Sequence, residues 1–301
     1  MHKSRTNVFS IAGSSVFVAG VFASVVIVSL VFLSGLTTSR LLAQEAPPQT
    51  EDQRGARQAL NQGVQSFRNG QYGEAMAAFQ RAKLLDPRLM NARLYLAAAY
   101  AVQYIPGAPS EENREFGRKS VEEFKGVLDI DPQNLSAIDG IGSIVFQMAG
   151  IPYDPTKLEE SKSYHQKHIQ IKPDDPEAYY WVGVIDWTLS FRANNEVRAR
   201  DNEAHLAHQV KDMEPLPADV RQEYARDYGP IINEGIESLR RAIALRPDYE
   251  DAMAYLNLLY RRKADVVASA SEREDCLLMA DALIDRVKDM KQKRAEQSSQ
   301  P

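Results

Sequence analysis

The chain has 301 residues and a formal net charge of −5, with 41 acidic against 36 basic side chains. This mildly acidic balance argues against a nucleic-acid surface, which needs a clustered basic excess. The single cysteine, Cys276, excludes an intramolecular disulfide, and without CxxC motifs a zinc ribbon and covalent c-type haem are also excluded.

The first predicted element is an apolar segment near the amino end. No charged residue occurs between positions 6 and 39, and residues 16–36 form a nearly continuous apolar stretch. At about 1.5 Å per residue, a helix of this length spans about 30 Å, the hydrocarbon thickness of a bilayer. Lys3 and Arg5 precede it, so the positive-inside tendency predicts a cytoplasmic amino end and export of the rest.

Residues 1–43 are therefore predicted to be a signal peptide or a signal-anchor helix, and a helix buried in a core is the alternative interpretation. The stretch is long for a signal peptide, yet Leu41, Leu42 and Ala43 before Gln44 suit a cleavage site, so both fates stay open. No cysteine lies directly after the stretch, which excludes a lipoprotein anchor. Both fates predict a periplasmic location, either anchored in the inner membrane or soluble after cleavage.

A polar linker precedes the part of the chain that carries helical periodicity. Residues 44–55 contain two prolines, charged side chains and no large apolar residue, as expected of a flexible linker. The segment 70–87, GQYGEAMAAFQRAKLLDP, then has small and large apolar residues on one helical stripe that ends at a proline. These residues are Tyr72, Ala75, Phe79, Ala82 and Pro87.

The same offsets recur before three later prolines. Counting back from each proline, a small residue is expected twelve places before, a large one eight before and a small one five before. The positions hold Ser120, Phe124 and Val127 before Pro132, Ser161, His165 and His168 before Pro173, and Gly235, Leu239 and Ala242 before Pro247. The residue ten places after each proline is mostly tiny, as close packing of a second helix requires: Ala97, Gly142, Gly183 and Asn257.

This pattern resembles the tetratricopeptide repeat (TPR), a helical hairpin of 34 residues whose second helix ends at a proline. The resemblance covers residues 56–290, and the unit at 56–89 matches it best. It implies an all-α solenoid of about five hairpins, preceded by one N-terminal membrane-spanning or signal helix. Residues 291–301 are predicted to be a disordered tail.

Three insertions interrupt the 34-residue period, near 103–113, 150–156 and 192–230. The first two contain helix-breaking prolines and are predicted to be loops, with Ser110 capping the next helix. The third has helical charge patterning. We therefore predict that the first helix of repeat four ends at about Phe191 and that two extra helical pieces follow, the second at 218–228. These pieces either lengthen the hairpin or lie against the groove.

In the TPR family, the inner faces of the first helices line a concave groove that binds peptides. By that resemblance, the groove positions include Val184 and the candidates Phe67, Arg68, Asp139, Phe146, Tyr180, Trp187, Arg261 and Arg262. Within the aromatic run of repeat four, Tyr179 and Trp181 are out of helical phase with Tyr180 and Trp187, so the two sets cannot face one core. We expect the aromatic residues to anchor a partner and the arginines to steer acidic partners, unless the repeat-four insertion covers the aromatic residues.

Two histidine pairs at i, i+3 spacing could form part of a metal site: His165 with His168, and His205 with His208. The first pair occupies packing positions of the repeat, so semi-buried helix neighbours are the favoured interpretation, and no metal or cofactor is predicted. No GxxxxGK[ST], HExxH or GxSxG motif occurs, so the corresponding enzyme classes have no support.

The sequence therefore predicts a non-catalytic scaffold outside the cytoplasm, which presents a groove to a peptide or partner protein. It predicts no nucleic-acid partner, and contact with a membrane if the N-terminal helix is not cleaved. The alternatives are a metal-binding or metal-dependent protein that uses the histidine pairs, and a structural component of an envelope assembly.

Overall fold

The computed structural model describes residues 50–211 and 214–298, and the predicted N-terminal segment lies outside these ranges. As predicted, the described part of the chain is all-α, with ten helices and no strand. They are α1 (Glu51–Arg68), α2 (Tyr72–Leu85), α3 (Met90–Gln103), α4 (Glu111–Leu128), α5 (Leu135–Met148), α6 (Pro155–Ile171), α7 (Pro176–Ala204), α8 (Ala218–Leu245), α9 (Glu250–Ala264) and α10 (Ala270–Ser298). None of these ten is both long enough and apolar enough to cross a bilayer.

Consecutive helices pair into five hairpins, and each second helix also packs against the first helix of the next hairpin. Contacts also join the first helices of neighbouring hairpins, namely α1 with α3, α3 with α5 and α7 with α9. Pro87, Pro132, Pro173 and Pro247 lie in the turns that follow second helices, which confirms the repeat boundaries read from the sequence. The described residues thus form a TPR-type helical-hairpin solenoid.

Within the hairpins, a missing side chain on the first helix makes room for a large one on the second. A Cβ atom on Gly63 would lie 2.4 Å from the ring of Phe79, and one on Gly183 would lie 2.3 Å from Cγ of Leu239. Real Cβ contacts are not this short, so glycine is required for the close approach. In the fifth hairpin the position equivalent to Gly183 holds Asn257, which donates a hydrogen bond of 2.6 Å to a backbone carbonyl of α10.

The first two insertions are loops, as predicted. The side chain of Ser110 caps α4 by accepting a hydrogen bond from the backbone N–H of Asn113. The buried amide of Asn113 in turn accepts from the backbone N–H of Ile105 and donates to the carbonyls of Ile105 and Ala108, which fixes the loop before α4. In the second loop, Asp154 caps α6.

The third insertion lengthens both helices of the fourth hairpin, and this corrects the expected helix ends. Helix α7 does not stop near Phe191 but continues to Ala204, and the piece predicted at 218–228 is the start of a helix that continues through Pro230 to Leu245. Pro230 lies on an exposed position of α8. The apolar stripe on either side of it, with Tyr224 and Ile232 both almost fully buried, packs against α7, and this burial outweighs one missing backbone hydrogen bond.

Both ends of the described region are more helical than expected. Residues 51–55, assigned to the linker, begin α1, because Thr50 and Gln53 form a reciprocal capping box. Residues 291–298, assigned to the tail, continue α10, where Arg294 forms a 2.6 Å ion pair with Glu250 at the start of α9.

Candidate functional site

Six aromatic side chains from three first helices form a continuous row, which we call the aromatic strip. Its members are Phe146 of α5, Tyr180, Trp181, Trp187 and Phe191 of α7, and Tyr255 of α9. Successive ring centroids lie 5.0 to 5.8 Å apart, in edge-to-face or stacked geometry. Every ring in the strip is only half-buried, so each keeps accessible surface.

Helical phase explains the course of the strip along α7. Tyr180, Trp187 and Phe191 recur at intervals of seven and four residues and therefore share one face, which turns toward α9. Trp181 is rotated by about 100° from Tyr180 and instead contacts the strip's α5 ring and His165 of α6. The two sets of aromatic residues thus contact neighbours on opposite sides of α7, and they meet where Tyr180 touches Trp181 at 5.5 Å.

The structure brings only some of the predicted groove residues together. Phe146, Tyr180 and Trp187 belong to the aromatic strip. Val184, predicted to face the groove, is 1% exposed and belongs to the core instead. Tyr255 joins the strip although the sequence analysis did not select it.

The other predicted residues have separate surroundings. Phe67 packs against Tyr72 at the turn between α1 and α2, with ring centroids 5.3 Å apart, and Arg68 is exposed at the end of α1. Asp139 accepts a 2.6 Å hydrogen bond from His168. Burial would lower the pKa of His168, but the hydrogen bond and charge of Asp139, together with Asp175, raise it overall.

The two predicted arginines form ion pairs within the chain. Arg261 donates a 2.6 Å hydrogen bond to Asp281 of α10. Arg262 pairs with the buried carboxylate of Asp265 at 3.3 Å, donates to Asn194, and lies 6.0 Å from the ring centroid of Phe191.

Asp265 is the centre of a polar cluster at the end of the strip that sequence analysis missed. Its carboxylate is 4% exposed and contacts Arg198, Arg262 and Arg273 at 3.2 to 3.3 Å, and it accepts a hydrogen bond from Asn194. Arg198 and Asp265 are 67 positions apart. No sequence motif connects two residues that far apart. The only sequence signal in this region was the extra length of repeat four over the 34-residue period.

The histidine pairs do not form a metal site in the part of the chain that the structure describes, where no three His, Cys, Asp or Glu side chains could hold an ion. His165 is 1% exposed, stacks on Trp181, and fills the space left by Gly142. His205 binds the carboxylate of Asp201, and His208 is exposed in the loop after α7.

His165 makes stability depend on pH. Both ring nitrogens are buried without a hydrogen-bond partner, and burial lowers the pKa of His165 to about 3. The unfolded chain binds a proton at this site below about pH 6.5, whereas the folded chain does not, so stability falls as the pH drops from 6.5 toward 3. We expect the unfolding free energy of wild type, taken relative to that of His165→Leu, to fall by about 2 kcal/mol between pH 6.5 and 5.

Urea titrations of both proteins across that pH range measure this difference, since the other titrating groups are common to both. A difference that stays constant with pH would show that His165 is protonated, or solvated, in the folded protein.

No protein-family model and no curated protein matches this sequence. Among solved structures, the crystal structure of MamA protein gives a TM-score of 0.52 at 14% identity, covering 81% of this chain and 95% of that one. MamA 41-end from Desulfovibrio magneticus RS-1 gives 0.52 at 15% identity, covering 82% and 98%. YrrB, described as a TPR protein with an unusual peptide-binding site, gives 0.48 at 16% identity, covering 76% and 85%. The likeness to the two MamA structures shows a shared fold.

Proposed function

We propose that this TPR-type solenoid is a non-catalytic scaffold that binds an extended segment of a partner protein along the aromatic strip. The observation that carries the proposal is the half-burial of six connected aromatic rings on consecutive first helices. Large rigid aromatic side chains supply most of the binding energy in many protein interfaces, because they bury much area with little loss of side-chain entropy.

Three of the predicted polar groove residues are paired with other side chains of the chain. Asp139 is bound to His168, Arg261 to Asp281, and Arg262 to the cluster around Asp265. Pairs of this kind hold neighbouring helices in register, and we assign none of these residues a chemical step.

Replacing Trp187 with alanine is expected to weaken partner binding by at least tenfold. Its ring stacks on Phe191 at 5.0 Å and meets Tyr255 edge-to-face at 5.3 Å, so its removal interrupts the strip between these two rings and takes away a tryptophan, one of the residue types that contribute most to binding at interfaces. The measurement is quantitative mass spectrometry of proteins that full-length tagged protein retains from solubilised bacterial membranes.

Tyr228→Ala is the matched control. Tyr228 is also half-buried and stacks on another ring, Tyr224, at 5.5 Å, but it lies on α8, a second helix outside the strip. We expect Tyr228→Ala to retain the same proteins as wild type. Equal retention by Trp187→Ala would contradict the proposed site.

We also propose that the solenoid acts outside the cytoplasm, either anchored by residues 16–36 or released by cleavage after Ala43. The support is the uncharged segment at 6–39 preceded by Lys3 and Arg5. Alkaline phosphatase fused after the last residue should be active in a bacterial host, since this reporter folds only outside the cytoplasm. An inactive fusion protein present in normal amount would reject the location, and the N-terminal residue of the purified protein distinguishes anchor from cleaved signal.

A further inference from the structure

The face of α7 that bears the strip changes from aromatic to polar within one turn of Phe191. The next residues on this face are Asn194 and Arg198, both buried. Helix α9 changes in the same way, from Tyr255 of the strip to Arg262. The two changes coincide in space, because Arg262 donates to Asn194 and lies over the Phe191 ring at 6.0 Å. The aromatic strip therefore ends at a guanidinium group.

Arginine side chains are concentrated at this end. The guanidinium groups of Arg198, Arg262 and Arg273 all contact the carboxylate of Asp265. Asp201, the next buried carboxylate along α7, contacts His205 instead. The Arg262 side chain is only 13% exposed, and partial burial weakens screening by water and salt, so its guanidinium group attracts an anionic group more strongly than an exposed arginine does.

The hydrogen bonds show which arginine is available. Arg198 uses all three guanidinium nitrogens, which donate to Asn194, Asp265 and two backbone carbonyls of the loop after α7. Arg262 makes both of its polar contacts with described residues, to Asn194 and Asp265, through Nη1. Its Nε and Nη2 are left as donors beside the strip, in a side chain that is 13% exposed.

We propose that the partner segment carries an aspartate or glutamate next to its apolar anchor, and that this carboxylate binds Arg262. The inference rests on the proposed function, because it names the chemistry of the segment that the strip binds. Arg261 is not assigned this role, because Asp281 already binds it.

A peptide selection tests the inference. Random 12-residue peptides, displayed within a loop so that neither end is free, are selected on full-length protein in detergent micelles. Wild type should enrich peptides that combine aromatic or aliphatic residues with an acidic residue. Arg262→Gln should lose the acidic preference and keep the apolar one, whereas Arg262→Lys should retain both. Arg240→Gln is the matched control, because Arg240 also lies over a ring, that of Tyr260 at 5.7 Å, but on α8.

A titration on one selected peptide assigns the contact. Replacing its acidic residue with the amide should weaken binding to wild type by at least tenfold and should leave binding to Arg262→Gln unchanged, as a double-mutant cycle requires for a direct pair. If Arg262→Gln fails to fold, binding of the acidic and the amide peptide to wild type and to Arg262→Lys still tests the contact. An amide peptide that binds wild type as tightly as the acidic peptide overturns the inference.

The remaining outcomes separate the two proposals. Apolar enrichment without any acidic preference would overturn the role of Arg262 and leave the scaffold proposal intact. No enrichment of any peptide by wild type would overturn both.

Discussion

Replacing Gly183 with alanine is expected to lower the free energy of unfolding by about 3 kcal/mol, the upper part of the usual range for overpacking a core. The new Cβ would lie 2.3 Å from Cγ of Leu239 and under 3 Å from both of its terminal carbons. Leu239 is 0% exposed, so its side chain has no free space to move into. The only two tryptophans of the chain, Trp181 and Trp187, lie on the same helix as Gly183, and their fluorescence reports urea unfolding of this hairpin.

Two further variants test the cause. Gly73→Ala is the control, since a Cβ there meets no atom within 4 Å, and the change should leave stability unaltered or raise it by up to about 1 kcal/mol. Adding Leu239→Ala to Gly183→Ala should cost less than the two separate losses combined, because the smaller side chain removes the clash. Strict additivity would show that the two residues do not contact each other as described.

Replacing Lys162 with methionine is expected to cost about 3 to 5 kcal/mol, the usual loss when one partner of a buried ion pair is removed. The Lys162 ammonium group donates to Asp186 of α7 at 3.0 Å and to Glu234 of α8 at 3.4 Å, and so joins α6 to the fourth hairpin. Burial lowers the pKa of Lys162, but the charge and hydrogen bond of Asp186 outweigh it and raise that pKa. Methionine would leave the Asp186 carboxylate, 0% exposed, without its cation.

The double variant Lys162→Met with Asp186→Leu distinguishes a charge effect from a packing effect. If the loss arises from an uncompensated buried charge, the double variant should recover most of it, because the pair is then replaced by apolar side chains. Lys288→Met is the exposed control, whose ion pair with Asp285 should contribute less than about 1 kcal/mol. Burial raises the pKa of Asp186 to about 7, so a loss equal to that of the control would mean that the carboxyl is protonated, or solvated by water, once Lys162 is removed.

Much of the fold was predictable because the repeat is local. Pro87 disfavours continuation of a helix whatever packs against it. Gly183 stands ten places after one repeat proline and Leu239 eight places before the next, and glycine and a large side chain meet in the same way in other hairpins. The part of the strip on α7 was also predictable, since the phase of Tyr180 and Trp187 depends only on the helical repeat. The length of the fourth hairpin was harder to predict, because Pro230 is a helix-breaking signal that packing of α8 against α7 overrides.

By itself, the sequence determined the all-α class, the five hairpins and the face of α7 that carries aromatic residues, because these follow from spacings within one or two helices. Only the tertiary structure decided how the polar residues are used. His165 has the spacing of a metal ligand but is buried against Trp181, and Arg262 reaches Asn194 across 68 positions. Periodicity determines which side of a helix a residue occupies. The partner of a polar side chain depends on which distant residue lies beside it, and the stacking of whole hairpins determines that.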